Sequence, residues 1–323
     1  MKKFPFVSII IPLYIICERF FNDLKKYRNL DYPNFEIIIV CDKEVKLPPL
    51  PNLKLILTHQ QRTGPAEKRD LAIKKARGEI CAFIDDDAYP NPLWLKRATR
   101  HFANPQIVAV GGPGITPPQD NFWQKIGGFI IQSYLCSGGI QYRFVKEKRR
   151  FVVDYPAYNL LVRTEILRKV GGYGCSFYGG EDTFLCLKLI KYGKILYDPE
   201  VFVYHHRRAF LLPHLRQIAL VGFHRGYFFK KFPQTSRRPI YLLPSGLTAG
   251  FVGGILALLA KKEWFLLPFV ILFLTFWFVG SWSIYKNKAG IISSIIGGLG
   301  IILTHLTYGV TFLRGLLTAK ITR

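Results

Sequence analysis

Three long apolar stretches near the C-terminal end of the sequence constrain this chain more than any other feature. They cover residues 240–260, 264–285 and 289–313, and none of them contains Asp, Glu, Lys or Arg. A helix rises about 1.5 Å per residue, so roughly 20 residues cross about 30 Å of hydrocarbon. As core helices of a soluble protein, the stretches would need a much larger domain around them. The pattern therefore predicts a membrane domain at 239–323 with about three transmembrane helices.

Positive charge is concentrated immediately before these stretches. The chain has a formal net charge of +24, and segment 201–238 contains eight Lys or Arg and four His but no acid. Lys230, Lys231, Arg237 and Arg238 are typical of a cytoplasmic anchor to anionic headgroups. A solvated basic face without a ligand is the alternative. We predict a basic membrane-interface segment at 209–238, where diphosphate and headgroup binding explains the charge without nucleic acid.

The lysines between the apolar stretches leave two topologies open. With three spans, Lys286 and Lys288 share the cytoplasmic side with the basic anchor, whereas Lys261 and Lys262 lie outside. A re-entrant first segment with two true crossings is the alternative, since Pro, Ser and Gly occupy 244–246. In either case we expect a multi-pass protein of the cytoplasmic membrane. The six cysteines form no CxxC pair, which favours reduced thiols and an N-terminal domain facing the cytosol.

The first hundred residues alternate between strand and helix patterns. Helices are predicted at 18–26 and 65–76, and strands at 7–11, 35–40, 53–57 and 80–84. Continuous β-branched runs between amphipathic helices indicate an α/β fold, in which a mostly parallel sheet carries helices on both faces. Ligands of such sheets bind beyond the carboxyl ends of the strands.

Acidic side chains follow two of these predicted strands. Asp42 comes after the second strand, and Asp85, Asp86 and Asp87 come after the fourth. Three consecutive aspartates at the end of a buried strand repel each other, which costs free energy unless a cation neutralises them. Asp85 and Asp87 can converge on one hard metal ion, Mn²⁺ or Mg²⁺, with oxygens of a nucleotide diphosphate completing its shell. A solvated acidic turn is the alternative.

Seven short segments, taken in order, resemble those of family 2 glycosyltransferases. They are SIIIP (8–12), DYPNFEIIIV (31–40), GPAEKR (64–69), FIDDD (83–87), GGY (171–173), GEDT (180–183) and VYHHR (203–207). The resemblance spans roughly residues 6–235, and several members of the family carry appended membrane helices. It implies a GT-A nucleotide-diphospho-sugar transferase fold, with a catalytic domain at 1–208. It also implies direct displacement at the anomeric carbon, with inversion.

The resemblance also implies which residues bind the sugar donor. Asp42 resembles the acid that hydrogen-bonds the nucleobase, and Arg69 with Gly64 resembles a donor-contacting segment. Arg216, Gln217 and Arg225 resemble a segment that approaches the donor pyrophosphate in some family members. The expected donor residues are Pro12, Tyr14, Asp42, Gly64, Arg69, Asp85, Asp86, Arg216, Gln217 and Arg225.

This sequence departs from the family pattern at four donor-side positions. Cys41 replaces an Asp, Asp70 replaces the Asn that usually follows the arginine, and Ile15 and Ile16 replace an Asn-Glu pair. These changes affect the expected nucleotide pocket. For Arg69, a surface salt bridge to a neighbouring acid of its own helix, Glu67 or Asp70, is the alternative role.

An acid pair at the start of a helix predicted at 183–192 is expected to perform the chemistry. Asp182 is predicted to be the general base for the acceptor hydroxyl, with Glu181 orienting the acceptor or setting the pKa of Asp182. An ordinary helix N-terminus, where acids are favoured, is the alternative. His205 follows a strand-like segment at 200–204 and is predicted to complete the metal shell of Asp85 and Asp87, although a structural histidine is equally compatible with this position.

The acceptor side is expected to include Asp154 and Asn159, and the aromatic, Gly-rich stretch 122–142 could cover the acceptor or face the membrane. Because the membrane helices hold the site near the bilayer, we expect a lipid-linked or cell-surface polysaccharide acceptor. The Gln-x-x-Arg-Trp signature of processive synthases is missing, which favours single-sugar transfer. No nucleic-acid recognition fold is visible. The alternative is a non-enzymatic membrane protein whose degenerate transferase domain binds nucleotide or polysaccharide.

Overall fold

The computed structural model describes residues 4–58, 63–175, 179–261 and 263–319. They form two compact units. The first contains residues 4–117 and Tyr142–His206, and the second contains Pro118–Gln141 and the residues from Arg207 onward. The three-part division at 208 and 238 stays a prediction. The second unit also contains residues 122–141 of the aromatic, Gly-rich stretch 122–142.

The first unit is built on two β-sheets. The larger sheet has the strand order β3-β2-β1-β4-β9-β6-β10-β8, and the smaller has the order β5-β11-β7. The strands are β1 (Val7–Pro12), β2 (Phe35–Cys41), β3 (Leu53–Leu57), β4 (Ile80–Phe83), β5 (Ala88–Pro90), β6 (Ile107–Gly111), β7 (Gly114–Ile115), β8 (Arg150–Val152), β9 (Leu160–Arg163), β10 (Lys194–Tyr197) and β11 (Val203–His205).

The large sheet is mostly parallel, as the alternation of patterns predicts. Strands β1, β2, β3 and β4 are parallel to their neighbours, and β10 is parallel to β6. Only β9 and the edge strand β8 run antiparallel to the strands beside them. All residues of β1 (VSIIIP) and β4 (ICAF) are buried, as is typical of parallel strands covered on both faces. The predicted fold class is therefore confirmed.

The helices in chain order are α1 (Glu18–Lys25), α2 (Pro65–Lys75), α3 (Trp94–Thr99), α4 (Phe122–Gln132), α5 (Tyr134–Ser137), α6 (Thr164–Lys169), α7 (Glu181–Leu189), α8 (Leu212–Lys231), α9 (Pro233–Ser236), α10 (Leu243–Leu259), α11 (Glu263–Lys286) and α12 (Ile291–Leu317). The helix predicted at 183–192 begins two residues earlier, at Glu181. The acid pair therefore lies in the first turn of α7, where the helix dipole favours negative charge.

Among its described residues, the second unit contains three helices that are long and apolar enough to cross a membrane. Their spans are Pro239–Leu259, Leu267–Lys286 and Ile291–Leu317, close to the three predicted stretches. Helix α12 packs against α8, where Gly226 lets the two backbones approach. A Cβ at Gly226 would overlap the carbonyl oxygen of Phe312. Helix α4 joins this unit through Ile126 and Ile130, which share a buried cluster with Ile301.

Candidate active site

Two aspartates and a histidine converge where β4 and β11 end. Asp85 and Asp87 lie between β4 and β5, and the pairing of β11 with β5 sets His205 opposite Ala88. One ligand atom from each of Asp85, Asp87 and His205 lies within 4.8 Å of the other two. Nε2 of His205 is 2.9 Å from Oδ1 of Asp87. The three residues predicted as metal ligands are thus brought together.

Strand alternation separates His205 from its neighbour. Successive side chains of a strand point to opposite faces. Accordingly, Nε2 of His206 lies 3.0 Å from Oδ2 of Asp23, and both side chains are buried. His206, which directly follows β11, therefore links α1 to the end of this strand, whereas His205 faces the aspartates.

The donor set of this cluster fits a divalent cation. Carboxylate oxygens suit Mg²⁺ and Mn²⁺, and imidazole is a common ligand of transition metals. Near this cluster, Arg69 Nε and Asp182 Oδ1 are buried polar atoms without a hydrogen-bond partner, which is compatible with a polar ligand between the two groups of acids. Buried polar groups are almost always bonded in a complete site. Asp85, Asp87 and His205 are therefore the residues that would hold a metal ion.

The middle aspartate, Asp86, has a different role from its neighbours. Its Oδ2 accepts the backbone N–H of Tyr14 at 2.7 Å and of Ile15 at 3.0 Å, so it holds the loop after β1. Burial, followed by the negative charge of Asp87, raises the pKa of Asp86 to about 6. Pro12 is buried at the end of β1, whereas the Tyr14 side chain is half exposed and accessible to a ligand.

Arg69 of α2 links the metal cluster to the predicted catalytic acids. Its guanidinium donates to Oδ1 of Asp85 at 2.7 Å and to Oε1 of Glu181 at 3.2 Å. The same group lies 3.6 Å from Oδ1 of Asp182. Because only 3% of Arg69 is exposed, water screens these charges weakly. Arg69 is thus the cation between two groups of carboxylates.

The alternative role of Arg69, a surface salt bridge on its own helix, does not form. Glu67 accepts the backbone N–H of Gly64 at 3.1 Å and caps α2. Asp70 accepts the backbone N–H groups of Tyr173 and Gly174. Both neighbouring acids are therefore engaged elsewhere.

The surroundings of Asp182 suit a general base. Its Oδ2 accepts the N–H of Ala157 at 3.0 Å, while Oδ1 has no hydrogen-bond partner. Burial first, and then the negative charge of Glu181, raises the pKa of Asp182, and Arg69 opposes part of this effect. Glu181 accepts from Arg69 on one oxygen and from the N–H of Gly179 on the other. Of the two acids, Asp182 therefore keeps the oxygen that can take a proton.

A second ion pair lies beyond the end of β2, at the predicted nucleobase acid. Lys68 Nζ is 3.0 Å from Oδ2 of Asp42 and donates to the carbonyl of Leu13 at 2.7 Å. Oδ1 of Asp42 accepts from Thr58 Oγ1 at 2.8 Å. Burial opposes ionisation, but hydrogen bonds from Lys68, Thr58 and Thr63 outweigh it and lower the pKa of Asp42. This carboxylate is therefore an ionised acceptor with a fixed orientation.

The two predicted acceptor residues have structural partners. Thr183 Oγ1 donates to Asp154 at 3.2 Å. Asn159 is fully buried, and its amide bonds Nε1 of Trp94 at 2.8 Å and the carbonyls of Gly112 and Val201 at 2.6 and 2.7 Å. This arrangement argues against an acceptor contact by Asn159, because no part of its side chain reaches the surface.

The remaining predicted donor residues lie on α8 in the second unit. Arg216 and Gln217 are exposed. Arg225 donates to Ser236 Oγ at 3.1 Å and lies over the ring of Tyr241. Their contact with a donor stays a prediction.

Sequence reasoning missed two residues of the site. Lys68 is buried as the counter-ion of Asp42, and Tyr173 has its ring centroid 5.3 Å from the guanidinium carbon of Arg69. Tyr173 belongs to the GGY segment, so a signal for it was available. Lys68 belongs to the GPAEKR segment, but its burial was not expected, because a lysine on a helix is ordinarily exposed.

Comparison with known proteins identifies similar sequences. A family model described as "Glycosyl transferase family 2" matches residues 8–171, about half of the chain. The pre-mycofactocin glycosyltransferase of Mycobacterium tuberculosis is 27% identical over 169 residues, covering 52% of this chain and 35% of that protein. Glycosyltransferase AglE of Haloferax volcanii is 26% identical over 189 residues, covering 55% and 59% respectively. The chain thus spans less than two thirds of the length of these curated relatives.

Among solved structures, the mannosyltransferase PcManGT from Pyrobaculum calidifontis, in complex with GDP-Man and Mn²⁺, has a similar fold. It superposes with a TM-score of 0.55 at 16% identity, covering 98% of this chain and 88% of that one. At this identity the likeness concerns the fold alone.

Proposed function

The chain belongs to glycosyl transferase family 2, and on that premise we propose that it moves a sugar from a nucleotide-diphosphate sugar to a hydroxyl of a lipid-linked or cell-surface glycan. The transfer inverts the anomeric carbon, and a divalent metal is required. Asp182 is the general base. The domain boundaries at 208 and 238 are part of the same proposal.

One observation carries this proposal. Arg69 contacts Asp85 of the metal cluster and also Glu181, beside the base Asp182. Group transfer requires a site for the departing diphosphate next to a base for the attacking hydroxyl, because both charges develop in one transition state. The buried guanidinium of Arg69 contacts Asp85 and Glu181, and so holds the metal cluster next to the catalytic acids.

The residues of the site divide the chemistry between them. The acceptor hydroxyl gives its proton to Oδ1 of Asp182 as its oxygen bonds to the anomeric carbon, and the bond from that carbon to the diphosphate breaks. Glu181 raises the pKa of Asp182, which makes it a better proton acceptor near neutral pH. Asp42 and Tyr14 bind the nucleoside. A metal ion held by Asp85, Asp87 and His205 would neutralise the charge of the diphosphate.

Manganese or magnesium is the proposed cation. The combination of two carboxylates with one imidazole supports this choice. PcManGT, which shares the fold, is a complex with Mn²⁺ and GDP-Man. The donor sugar and base are open to direct assay, with GDP- and UDP-sugars as the first compounds to test.

The apolar helices support an acceptor at the membrane. Three spans would hold the catalytic unit beside a bilayer, with Lys230, Lys231, Arg237 and Arg238 binding anionic lipids. We propose the cytoplasmic membrane as the location, with the catalytic unit facing the cytosol. An acceptor attached to a lipid would then meet the site without leaving the membrane.

Substitution of the base tests the proposal directly. Asp182→Asn should lower turnover by about 10²- to 10⁴-fold, because the amide cannot accept the proton. Affinity for the nucleotide sugar should persist, as measured by calorimetry on the purified full-length protein. Asp31→Asn is the matched control, since Asp31 is 57% exposed and forms an ion pair with the exposed Lys96. An Asp182→Asn enzyme with wild-type turnover would remove Asp182 as the base.

Metal dependence is tested separately. Turnover should be lost in a chelator and restored by Mn²⁺ or Mg²⁺, in a screen of nucleotide sugars. Asp87→Asn should weaken metal binding measured without substrate. Turnover that persists in chelator would refute the metal requirement while leaving the base assignment intact.

A further inference from the structure

The turn between α6 and α7 is held by charged side chains on both of its edges. The carboxylate of Asp70 accepts the N–H of Tyr173 on Oδ1 at 2.7 Å and the N–H of Gly174 on Oδ2 at 2.9 Å. The ammonium of Lys188 donates to the carbonyls of Val170 and Tyr173 at 3.2 and 3.0 Å, and also to that of Gly172. Asp70 therefore binds backbone N–H groups of the turn, and Lys188 binds its backbone carbonyls.

The backbone of this turn requires glycine. Gly171, Gly172 and Gly174 have φ angles of +72°, +61° and +55°. A Cβ at Gly172 would overlap the carboxylate of Asp70, so that side chain packs directly against the backbone. Glycine contributes little rigidity of its own. Backbone N–H groups of Gly171 and Gly172 donate to the carbonyls of Arg168 and Leu167, and the side chains of Asp70 and Lys188 hold the residues that follow.

The two helices that hold the turn are the helices that carry the charged residues of the site. Asp70 follows Arg69 directly on α2, and Lys188 lies on α7, which begins with Glu181 and Asp182. The turn thus joins the helix of the guanidinium to the helix of the catalytic acids.

Tyr173 transmits the geometry of the turn to the site. Its ring centroid lies 5.3 Å from the guanidinium carbon of Arg69 and 5.5 Å from the ring of Phe83, with the two rings nearly perpendicular. The ring is fully buried. Because its backbone N–H is bound by Asp70 and its carbonyl by Lys188, the position of the ring depends on both residues.

We propose that Asp70 and Lys188 form a clamp on the turn and act as positioning residues for the transfer step. The clamp fixes the ring of Tyr173 against Arg69, and so fixes Arg69 between Asp85 and Glu181. This inference rests on the proposed sugar transfer at the same site. It also explains why a carboxylate suits position 70: the N–H groups of Tyr173 and Gly174 are bound by separate oxygens of Asp70, and an amide would replace one of these acceptors with an NH₂ donor.

The test compares Asp70→Asn with the wild type in the purified full-length protein, using the nucleotide sugar selected in the donor screen. Asp70→Asn should lower kcat by about 10- to 100-fold, because small displacements of positioned groups are costly in the transition state. KM for the nucleotide sugar should change by less than about threefold, since Asp70 does not contact the nucleoside pocket. Amide exchange in a peptide covering 165–175 should accelerate, because the N–H groups of Tyr173 and Gly174 lose an acceptor.

Lys188→Met provides the second arm. It should lower kcat in the same way, and the double variant should be no more than about threefold slower than the slower single variant, because both substitutions open one clamp. Asp31→Asn, an exposed carboxylate-to-amide change, should leave kcat and exchange unaltered. If Asp70→Asn does not fold, as judged by its melting curve, Lys188→Met decides the question.

Three outcomes would overturn the clamp. One is faster exchange at the turn with unchanged kcat. Another is a rise in KM with unchanged kcat, which would make Asp70 a donor-binding residue. The third is a fully additive double variant. A wild type that transfers no sugar would refute the proposed function instead, and the exchange measurement would still report whether Asp70 and Lys188 hold the turn.

Discussion

Replacement of Arg69 by methionine tests the electrostatic core of the site. Methionine keeps much of the length of the side chain and removes its charge. Asp85 and Glu181 then lose hydrogen bonds of 2.7 and 3.2 Å, and Asp182 loses a cation 3.6 Å away. Carboxylates that share one buried cation repel each other once that cation is gone. We expect the variant to be less stable and its base to be more easily protonated.

The size of the effect follows from the exposure of the three partners. Removal of one member of a buried ion pair costs about 3–5 kcal/mol. Here Glu181 is 10% exposed, while Asp182 and Asp85 are 24% and 32% exposed and partly screened by water. The lower end, about 3 kcal/mol, is therefore expected. For a domain of about 150–250 residues this lowers the melting temperature by roughly 6–12 °C.

The pH dependence of this loss gives a sharper test. Burial and Glu181 raise the pKa of Asp182 above that of the unfolded chain. The folded state then binds more protons than the unfolded state between the two pKa values, so stability falls as pH rises through that window. Arg69→Met widens the window, because Arg69 lowers the pKa of Asp182. The melting temperatures of variant and wild type should therefore differ less at pH 5 than at pH 8.

The assay is a thermal melt of the full-length protein in detergent with chelator present, at a series of pH values. Arg69→Lys keeps a positive charge and should lose less stability, while Arg28→Met is a control because Arg28 is exposed and donates to the carbonyl of Pro49 rather than to a carboxylate. A variant Arg69→Met that melts within about 2 °C of the wild type at every pH would refute the reasoning. Equal losses at pH 5 and pH 8 would refute the role assigned to Asp182 protonation.

Lys68→Met should weaken nucleoside diphosphate binding by about tenfold in calorimetry, because Asp42 loses its buried counter-ion; unchanged affinity would remove Asp42 from the nucleoside pocket. Gly226→Ala should destabilise the second unit by about 1–3 kcal/mol in thermal melts, because its Cβ meets the backbone of α12, whereas Gly246→Ala has open space and should not. The wild-type kcat should fall as pH decreases through the raised pKa of Asp182, with a midpoint above the 3.8 of an ordinary aspartate; a midpoint at or below 3.8 would contradict the raised pKa.

Local pattern was sufficient to predict the regular elements. Strand β3 has its predicted bounds, and β1 extends one residue beyond the predicted 7–11. The three apolar helices follow from length and absence of charge alone. These features depend on residues close together in the chain, so the sequence contains the information directly.

For Arg69, the residues next to it in sequence suggested the wrong ion-pair partners, because its partner Glu181 is distant in the chain. The local alternative for Arg69 was an ion pair with Glu67 or Asp70, which lie two residues before it and one after it. Side chains at those spacings do not face each other on a helix. The actual partner Glu181 is 112 positions away. No local pattern indicates such a pair, because it arises only when α2 and α7 pack into the same unit.

The sequence by itself determined the fold class, the apolar helices and the kinds of residue that the chemistry needs. It indicated Asp85 and Asp87 because adjacent aspartates at the end of a buried strand are costly without a cation, and it indicated Asp182 and His205 through the resemblance to the family. Only the tertiary structure decided that His205 rather than His206 faces the aspartates, and that Asn159 bonds inside the core. Burial and charge pairing belong to the packed chain as a whole, since they depend on which distant residues fill the space around each polar group.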